Sequence, residues 1–274
     1  MPEGDTIFRA AASLRTWLVG RVVTAASARD ARLRIERLVG RTVASVEAVG
    51  KNLLMTFPGS ELETSDLVLH THMMMTGSWH VYPADVAWQR PARQARVVLH
   101  TGDRLAVCFN APVVELASPV ATARRSSLAG LGPDILARPL DLGSIVARAL
   151  RTDDGYALGE LLLDQRIVAG IGNIYRCESL FLERFHPWTL RGALTTDQLG
   201  ALVETAATLM AANLAEPVAR DFGTGANRPW VYGRTGLPCR VCATPIVARG
   251  QGPANRRAYW CPICQPASTG TVER

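Results

Sequence analysis

The sequence predicts an α+β protein of several domains: an N-terminal antiparallel β-sandwich or barrel with a flanking helix, a helical middle domain, and a small C-terminal β-hairpin unit. Three observations carry this. Short β-type runs recur between Arg21 and Leu116, punctuated by Gly, Pro, Asn and Asp. Beyond residue 133 the apolar spacing turns helical. Four of the six cysteines crowd into "CRVC" and "CPIC" near the C-terminus.

The chain opens "MPEGDTIFRA". Helical spacing of Ile7, Phe8, Ala11, Leu14 and Leu18 predicts a helix over Asp5 to Val19 with one buried face. The β-type runs are "RVVTAASA", "TVASVEAV", "NLLMTF", "DLVLHTHMM", "SWHVY", "ARVVLHT" and "RLAVCF". Such spacing suits an antiparallel arrangement with the helix packed at its side. In "ATARRSSLAGLGPDIL" the apolar density falls and Gly130, Gly132 and Pro133 appear, which marks a linker.

Helical patterns then follow in "LGSIVARALR", "LGELLLDQ", "NIYRCESLFLERF" and "TTDQLGALVETAATLMAANLAE", running to about Ala219. Thr195 or Thr196 caps the last, with Asp197 in its first turn. The expected boundaries are 1–118 for the sandwich, 119–132 for the linker, 133–230 for the helical domain, 231–268 for the cysteine unit and 269–274 for a frayed tail.

A chain of 274 residues that is 48% apolar and 20% charged carries enough apolar material for real cores, which excludes disorder as its default state. No apolar run reaches the roughly 18 to 20 residues of a membrane span, and the start lacks the features of a secretory signal. A cytoplasmic or nucleoid location is expected. The formal charge of +6 fits a polyanionic partner. Among 30 basic residues Lys51 is the single lysine. A lysine kept in so arginine-rich a chain suggests a position where a compact, deprotonatable cation is needed.

Cys239, Cys242, Cys261 and Cys264 form two C-x2-C knuckles separated by eighteen residues. Four thiolates at that spacing make a closed tetrahedral site for one structural zinc ion, on which a unit this small depends for folding. Paired disulfides or a redox motif are the competing reading, disfavoured in a reducing compartment. Between the knuckles, "QGPANRRAYW" reads as a turn and return strand with Arg256 and Arg257 near the tip, suited to phosphate contact or to a solvated turn. Cys108 and Cys177 read as buried thiols. In "QRIVAGIGNIYRCESLFLERF", Gly170 and Gly172 make a tight turn and Asn173 is the expected N-cap of a helix whose exposed amides can hold a phosphate.

Taken together, "MPEG" at the start, "GIGNIYRCESLF" after the linker and the four-cysteine hairpin resemble the formamidopyrimidine-DNA glycosylase and endonuclease VIII family over essentially the whole chain. The resemblance implies a β-sandwich, a helix-two-turn-helix domain and a zinc finger, with damaged double-stranded DNA held across the cleft between domains. It implies base excision repair by a bifunctional DNA glycosylase and AP lyase, acting as a monomer without organic cofactor.

Removal of Met1 by methionine aminopeptidase would free the Pro2 amine, and an α-amino group of reference pKa about 7.7 to 8.0 is partly unprotonated at neutral pH. Attack on C1′ would expel the base and leave a Schiff base that permits elimination. Glu3 would serve as acid and base, and Lys51 would bind the phosphate beside the lesion. Residue matching places the wedge that fills the void of the extruded base at Met74 and Met75, followed by the Thr76-Gly77 turn, although methionines of a buried strand are the alternative. Matching also makes Asn173 and Arg256 phosphate contacts, with Arg257 as the neighbour that shares the role.

"MPEG" resembles the endonuclease VIII branch, and no DPRRFG loop is present, so oxidised pyrimidines are the expected substrates and oxidised purines the alternative. Members commonly carry Pro-Glu after the first four residues, where this chain has Asp5-Thr6; the second acidic group is absent or displaced to Asp5. "GNIYRCESLF" is nearer the formamidopyrimidine branch. A different class of protein, a DNA-binding module that has lost catalysis, would lack a use for Pro2, Glu3 and Lys51 together.

Overall fold

The computed structural model describes residues 2–60, 64–214, 222 and 228–267. Met1, the end of the expected last helix beyond Leu214 and the tail after Ala267 lie outside the described residues. Two compact units divide the chain, Met1–Gly130 and Leu131–Arg274.

The first unit opens with helix α1 (Gly4–Leu18). Ile7, Ala11, Leu14 and Leu18 recur every three or four residues and are fully buried, while Phe8 is only half-buried. Eight strands follow: β1 (Ala25–Ala28), β2 (Ser45–Val49), β3 (Asn52–Phe57), β4 (Leu67–His72), β5 (Ser78–Pro83), β6 (Ala95–His100), β7 (Arg104–Phe109) and β8 (Val113–Ala117). They form two four-stranded sheets of order β1-β6-β7-β5 and β2-β3-β4-β8. All neighbours are antiparallel.

Alternation along the strands sends Val46, Leu53, Met55, Phe57, Leu67, Leu69, Val97, Leu99, Ala106 and Cys108 into one shared core with α1. The opposite face of β6 and β7 is also apolar. There Val98, Leu105, Val107 and Phe109 pack with Tyr82 and Trp88.

The segment expected as linker begins with a short helix, α2 (Pro119–Ala123). Ser118 accepts from the Ala121 amide and Pro119 opens the first turn, so local capping forms a helix where composition suggests a loop. Strand β8 is absent from the seven runs read in the sequence because its residues are uniformly half-buried and show no alternation.

In the second unit, α3 (Leu142–Leu150), α4 (Leu158–Leu161), α5 (Asn173–Leu182) and α6 (Thr196–Ala212) build the helical part. Helix α5 packs on α6, and α3 on α6. Only Leu158–Leu161 of "LGELLLDQ" is helical. Thr195 caps α6 through a reciprocal box: the Gln198 amide donates to its hydroxyl at 3.2 Å and its own amide donates to Gln198 Oε1 at 2.9 Å. Strands β9 (Val247–Gln251) and β10 (Arg256–Trp260) form the cysteine hairpin. Among the described residues, no helix is long and apolar enough to cross a membrane.

Helix α5 organises the hairpin through Glu178, a fully buried acid. Its carboxylate accepts from the backbone amides of Trp230 at 2.6 Å, Tyr232 at 2.9 Å and Val231 at 3.1 Å. Burial pushes this carboxyl upward, and the three amides pull it back. Glu178→Ala would strand three donors, the buried Val231 amide and the half-buried Trp230 and Tyr232 amides. A loss of about 3 kcal/mol or more is expected, read as a lowered denaturation midpoint of the full chain.

Candidate active site and nucleic-acid interface

Pro2 is half-buried and precedes Glu3, which sits at the N-cap position of α1 with no exposed surface. The Glu3 carbonyl accepts from the amides of Thr6 at 3.0 Å and Ile7 at 3.1 Å, but its side chain makes no capping bond. The helix is thus anchored through the Glu3 backbone. Asp5 is likewise fully buried. Arg9 pairs with it at 3.6 Å, one helical turn on, and the Thr6 hydroxyl donates to it at 3.3 Å.

Lys51 lies in the two-residue turn between β2 and β3, where Gly50 takes φ +58°. That left-handed value suits the tight hairpin turn. The neighbouring strand presents His72, held to about 4 by burial, by the Lys51 charge and by His70. His72 is therefore neutral at pH 7, and its Nδ1 accepts from the Met74 amide at 3.1 Å. The other ring nitrogen then carries the proton and can donate. Sequence reading passed over His72 because a histidine inside an apolar strand carries no periodic signal.

The run Met73-Met74-Met75 divides. Met73 is buried, whereas Met74 and Met75 are 47% and 64% exposed. Met74 takes φ +46°, and the Gly77 amide returns to the Met73 carbonyl at 2.7 Å. A Cβ on Gly77 would stand 2.6 Å from that oxygen and 3.0 Å from the Ala111 Cα, so the closure requires glycine. The Thr76 hydroxyl donates to the Asn110 carbonyl at 3.2 Å, tying the turn to the β7–β8 connection. These are methionines of a protruding turn and not of a buried strand.

In the second unit the cap position of α5 is Gly172, and Asn173 is the first helical residue, a shift of one from the expected N-cap. Gly170 supplies the turn with φ +109°. Gln165 braces it, accepting from the Gly170 amide at 3.0 Å and donating to the Ile171 carbonyl at 3.0 Å. Asn173 is buried against the hairpin, where its Nδ2 donates to the Arg257 carbonyl at 2.9 Å and its Oδ1 makes no hydrogen bond. Arg176, fully buried, donates to Gln251 Oε1 at 3.2 Å and to the Arg256 carbonyl at 3.4 Å. Asn173 and the two arginines of the hairpin are thereby brought together. The Arg256 and Arg257 side chains are exposed at the start of β10.

Cys239, Cys242, Cys261 and Cys264 place their sulfurs within 4.8 Å of one another. Three separations are 3.4, 3.6 and 3.9 Å. A metal–sulfur bond of about 2.3 Å gives a tetrahedral edge of about 3.8 Å, so the four sulfurs fit one ion. Backbone amides of Val241 and Cys264 each point at a sulfur at 3.4 Å. With four protein ligands the site has no open position. Cys108 and Cys177 are buried thiols, and burial pushes Cys108 up to about 12, which makes it inert.

In this chain a β-sandwich with a proline-glutamate head is joined to a helical unit bearing a four-cysteine hairpin. Family models for the formamidopyrimidine-DNA glycosylase N-terminal domain and H2TH domain match residues 1–112 and 131–220. A probable endonuclease 8 2 from Streptomyces coelicolor is 41% identical over 97% of this chain and 94% of its own length. A DNA-(apurinic or apyrimidinic site) lyase Nei2 from Mycolicibacterium smegmatis is 33% identical over 98% and 100%. A crystal structure of the Lactococcus lactis enzyme Fpg with DNA containing an oxidised pyrimidine shares the fold, with TM-score 0.79 at 21% identity over 97% of this chain and 100% of that one. The chain belongs to the formamidopyrimidine-DNA glycosylase and endonuclease VIII family of DNA glycosylases and AP lyases.

Proposed function

We propose that this enzyme excises oxidised bases, pyrimidines foremost, from duplex DNA and then cuts the strand, with the Pro2 nitrogen as nucleophile once Met1 is removed by an aminopeptidase. The observation that carries the reading is the half-buried Pro2 set directly beside the fully buried Glu3 at the head of α1. The nitrogen lone pair forms a bond to C1′ as the bond to the base breaks, and the base leaves with a proton. The Pro2 nitrogen gives up its proton, the C1′–O4′ bond breaks as O4′ takes a proton, and an iminium ion without an N–H remains at C1′. Loss of the C2′ proton then expels the 3′ phosphate, and Glu3 is the group placed to exchange protons in these steps. A DNA-binding module that had lost catalysis would have no use for this pairing.

Lys51 holds the phosphate beside the lesion, Met74 and Met75 fill the space of the extruded base, and Asn173 with Arg256 and Arg257 hold flanking phosphates. The exposure of the two methionines and of the two arginines supports these roles. Preference for pyrimidines is supported by the "MPEG" start and the name endonuclease 8 carried by the Streptomyces relative. Favouring the purine-directed reading are "GNIYRCESLF" and a formamidopyrimidine-DNA glycosylase from Geobacter sulfurreducens at 35% identity. Duplexes each bearing one oxidised base, incubated with enzyme of verified N-terminus, decide between them. Faster excision of oxidised purines would overturn the preference.

We infer zinc as the ion of the cysteine site, since four thiolates in a closed tetrahedron select it. When bound it holds the hairpin folded and takes no part in the chemistry. The enzyme is inferred to act as a cytoplasmic monomer.

Phosphate contacts make binding salt-dependent. Lys51→Gln is expected to lower the slope of log affinity against log salt by about one, measured by fluorescence anisotropy on a lesion duplex. An unchanged slope removes Lys51 from the phosphate.

A further inference from the structure

The outer face of the sheet β2-β3-β4-β8 carries a buried polar chain that the chemistry above does not use. His70 on β4 stands directly across from Glu115 on β8, and the pair is diagonal to Asn52, the residue after Lys51. His70 and Asn52 are 1% and 2% exposed. Asn52 Nδ2 donates to the Val49 carbonyl at 3.1 Å and to the Ser127 carbonyl at 3.3 Å. Its amide therefore bridges the two ends of the turn that holds Lys51 and fastens that turn to the segment after α2.

These two donations fix the orientation of the amide. Its Oδ1 faces His70 Nε2 at 2.9 Å, so Nε2 must carry a hydrogen. The other ring nitrogen, Nδ1, faces Glu115 Oε2 at 3.3 Å. A neutral imidazole protonated at Nε2 would turn its Nδ1 lone pair toward a carboxylate, two acceptors in contact. Moving the hydrogen to Nδ1 only transfers the conflict to Asn52 Oδ1. Both contacts are satisfied when the His70–Glu115 pair holds one proton more than a neutral imidazole and a free carboxylate.

We propose that His70 and Glu115 share this extra proton at neutral pH and that the resulting chain, Glu115 to His70 to Asn52, is a positioning device for Lys51. Arg125 also faces it, 3.4 Å from Glu115 Oε2, while His72, next along the same face of β4, is neutral at pH 7. Burial above all, with the Arg125 charge, pushes the His70 imidazole below its usual value while Glu115 pulls it up; against that, a neutral ring would leave one of its two contacts as a pair of opposed acceptors. Without a hydrogen on His70 Nε2, Asn52 Oδ1 would face a second acceptor, and the amide that braces the Lys51 turn would lose its partner on that side. The catalytic part rests on the reading of Lys51 as the phosphate-binding lysine; the proton does not.

Two measurements on the full, Met1-processed chain test this. Nitrogen NMR of the histidine rings at pH 7, with carbon NMR of Glu115, should find the proton on His70 Nδ1 or on the Glu115 carboxyl. A neutral His70 beside an ionised Glu115 overturns the proposal. In single-turnover excision, His70→Phe should slow the rate on the order of tenfold or more at unchanged affinity for undamaged duplex. Glu115→Gln, whose amide can donate to a neutral Nδ1, should run several-fold faster than Glu115→Ala. Equal rates for Glu115→Ala, Glu115→Gln and the parent overturn the positioning role. Lys51→Ala in the same assay separates the readings: an unaffected rate there removes Lys51 from catalysis and leaves the proton to NMR alone.

Discussion

Enzyme extended by two residues between Met1 and Pro2 gives no covalent adduct when borohydride is added to its mixture with lesion DNA, and its strand cleavage falls on the order of a thousandfold or more. An extension converts the Pro2 amine into a tertiary amide, which has neither a basic lone pair nor a proton to exchange. Glu3 and Lys51 remain, so binding to the duplex is retained. Adduct formation at the parent rate would place the nucleophile elsewhere. The outcome is sharper than a substitution of Pro2, because another N-terminal residue would still present an amine.

Replacing Cys239 with serine is expected to release the metal and abolish DNA binding by the full chain. Apparent binding energies of structural zinc sites are about 10 to 16 kcal/mol, far more than a hairpin of two five-residue strands can supply from its own apolar contacts. Cys239 and Cys261 also pack with Cys177, Phe181 and Val231, so loss of the ion loosens the hairpin's seat on α5. Metal content by elemental analysis and affinity by anisotropy report the two halves. Retention of full zinc content would contradict the ligand assignment. Chelator treatment of the parent enzyme should reproduce both losses.

Where periodicity is local the sequence is transparent. Ile7, Ala11, Leu14 and Leu18 announce α1 because they recur at the helical repeat and all four are buried. The cysteine knuckles are equally legible, since metal ligation dictates their spacing. What stays hidden depends on register between distant strands. His70 meets Glu115 only because β4 pairs with β8, and β8 itself has no alternation to reveal it. Asn173 illustrates a different limit. Glycine followed by asparagine suggests a cap, but the contact with the Arg257 carbonyl, 84 residues on, draws Asn173 into the helix and onto the hairpin. Phe8 has the right chemistry for the core and half misses it, because the buried arc of α1 is narrower than its apolar one.

The turn carrying Met74 and Met75 is fixed at its ends and open at its tip. Met73 is anchored in the core and Gly77 admits no side chain, so those two positions are closed to change. The exposed pair between them contributes little to folding. If the pair fills the space of the extruded base as proposed, exchanging the tip residues would alter which orphaned bases are tolerated while the scaffold's stability stays level. Lesion repertoire and fold integrity would then be under separate mutational control, with divergence gathering at positions 74 and 75 and sparing 73 and 77.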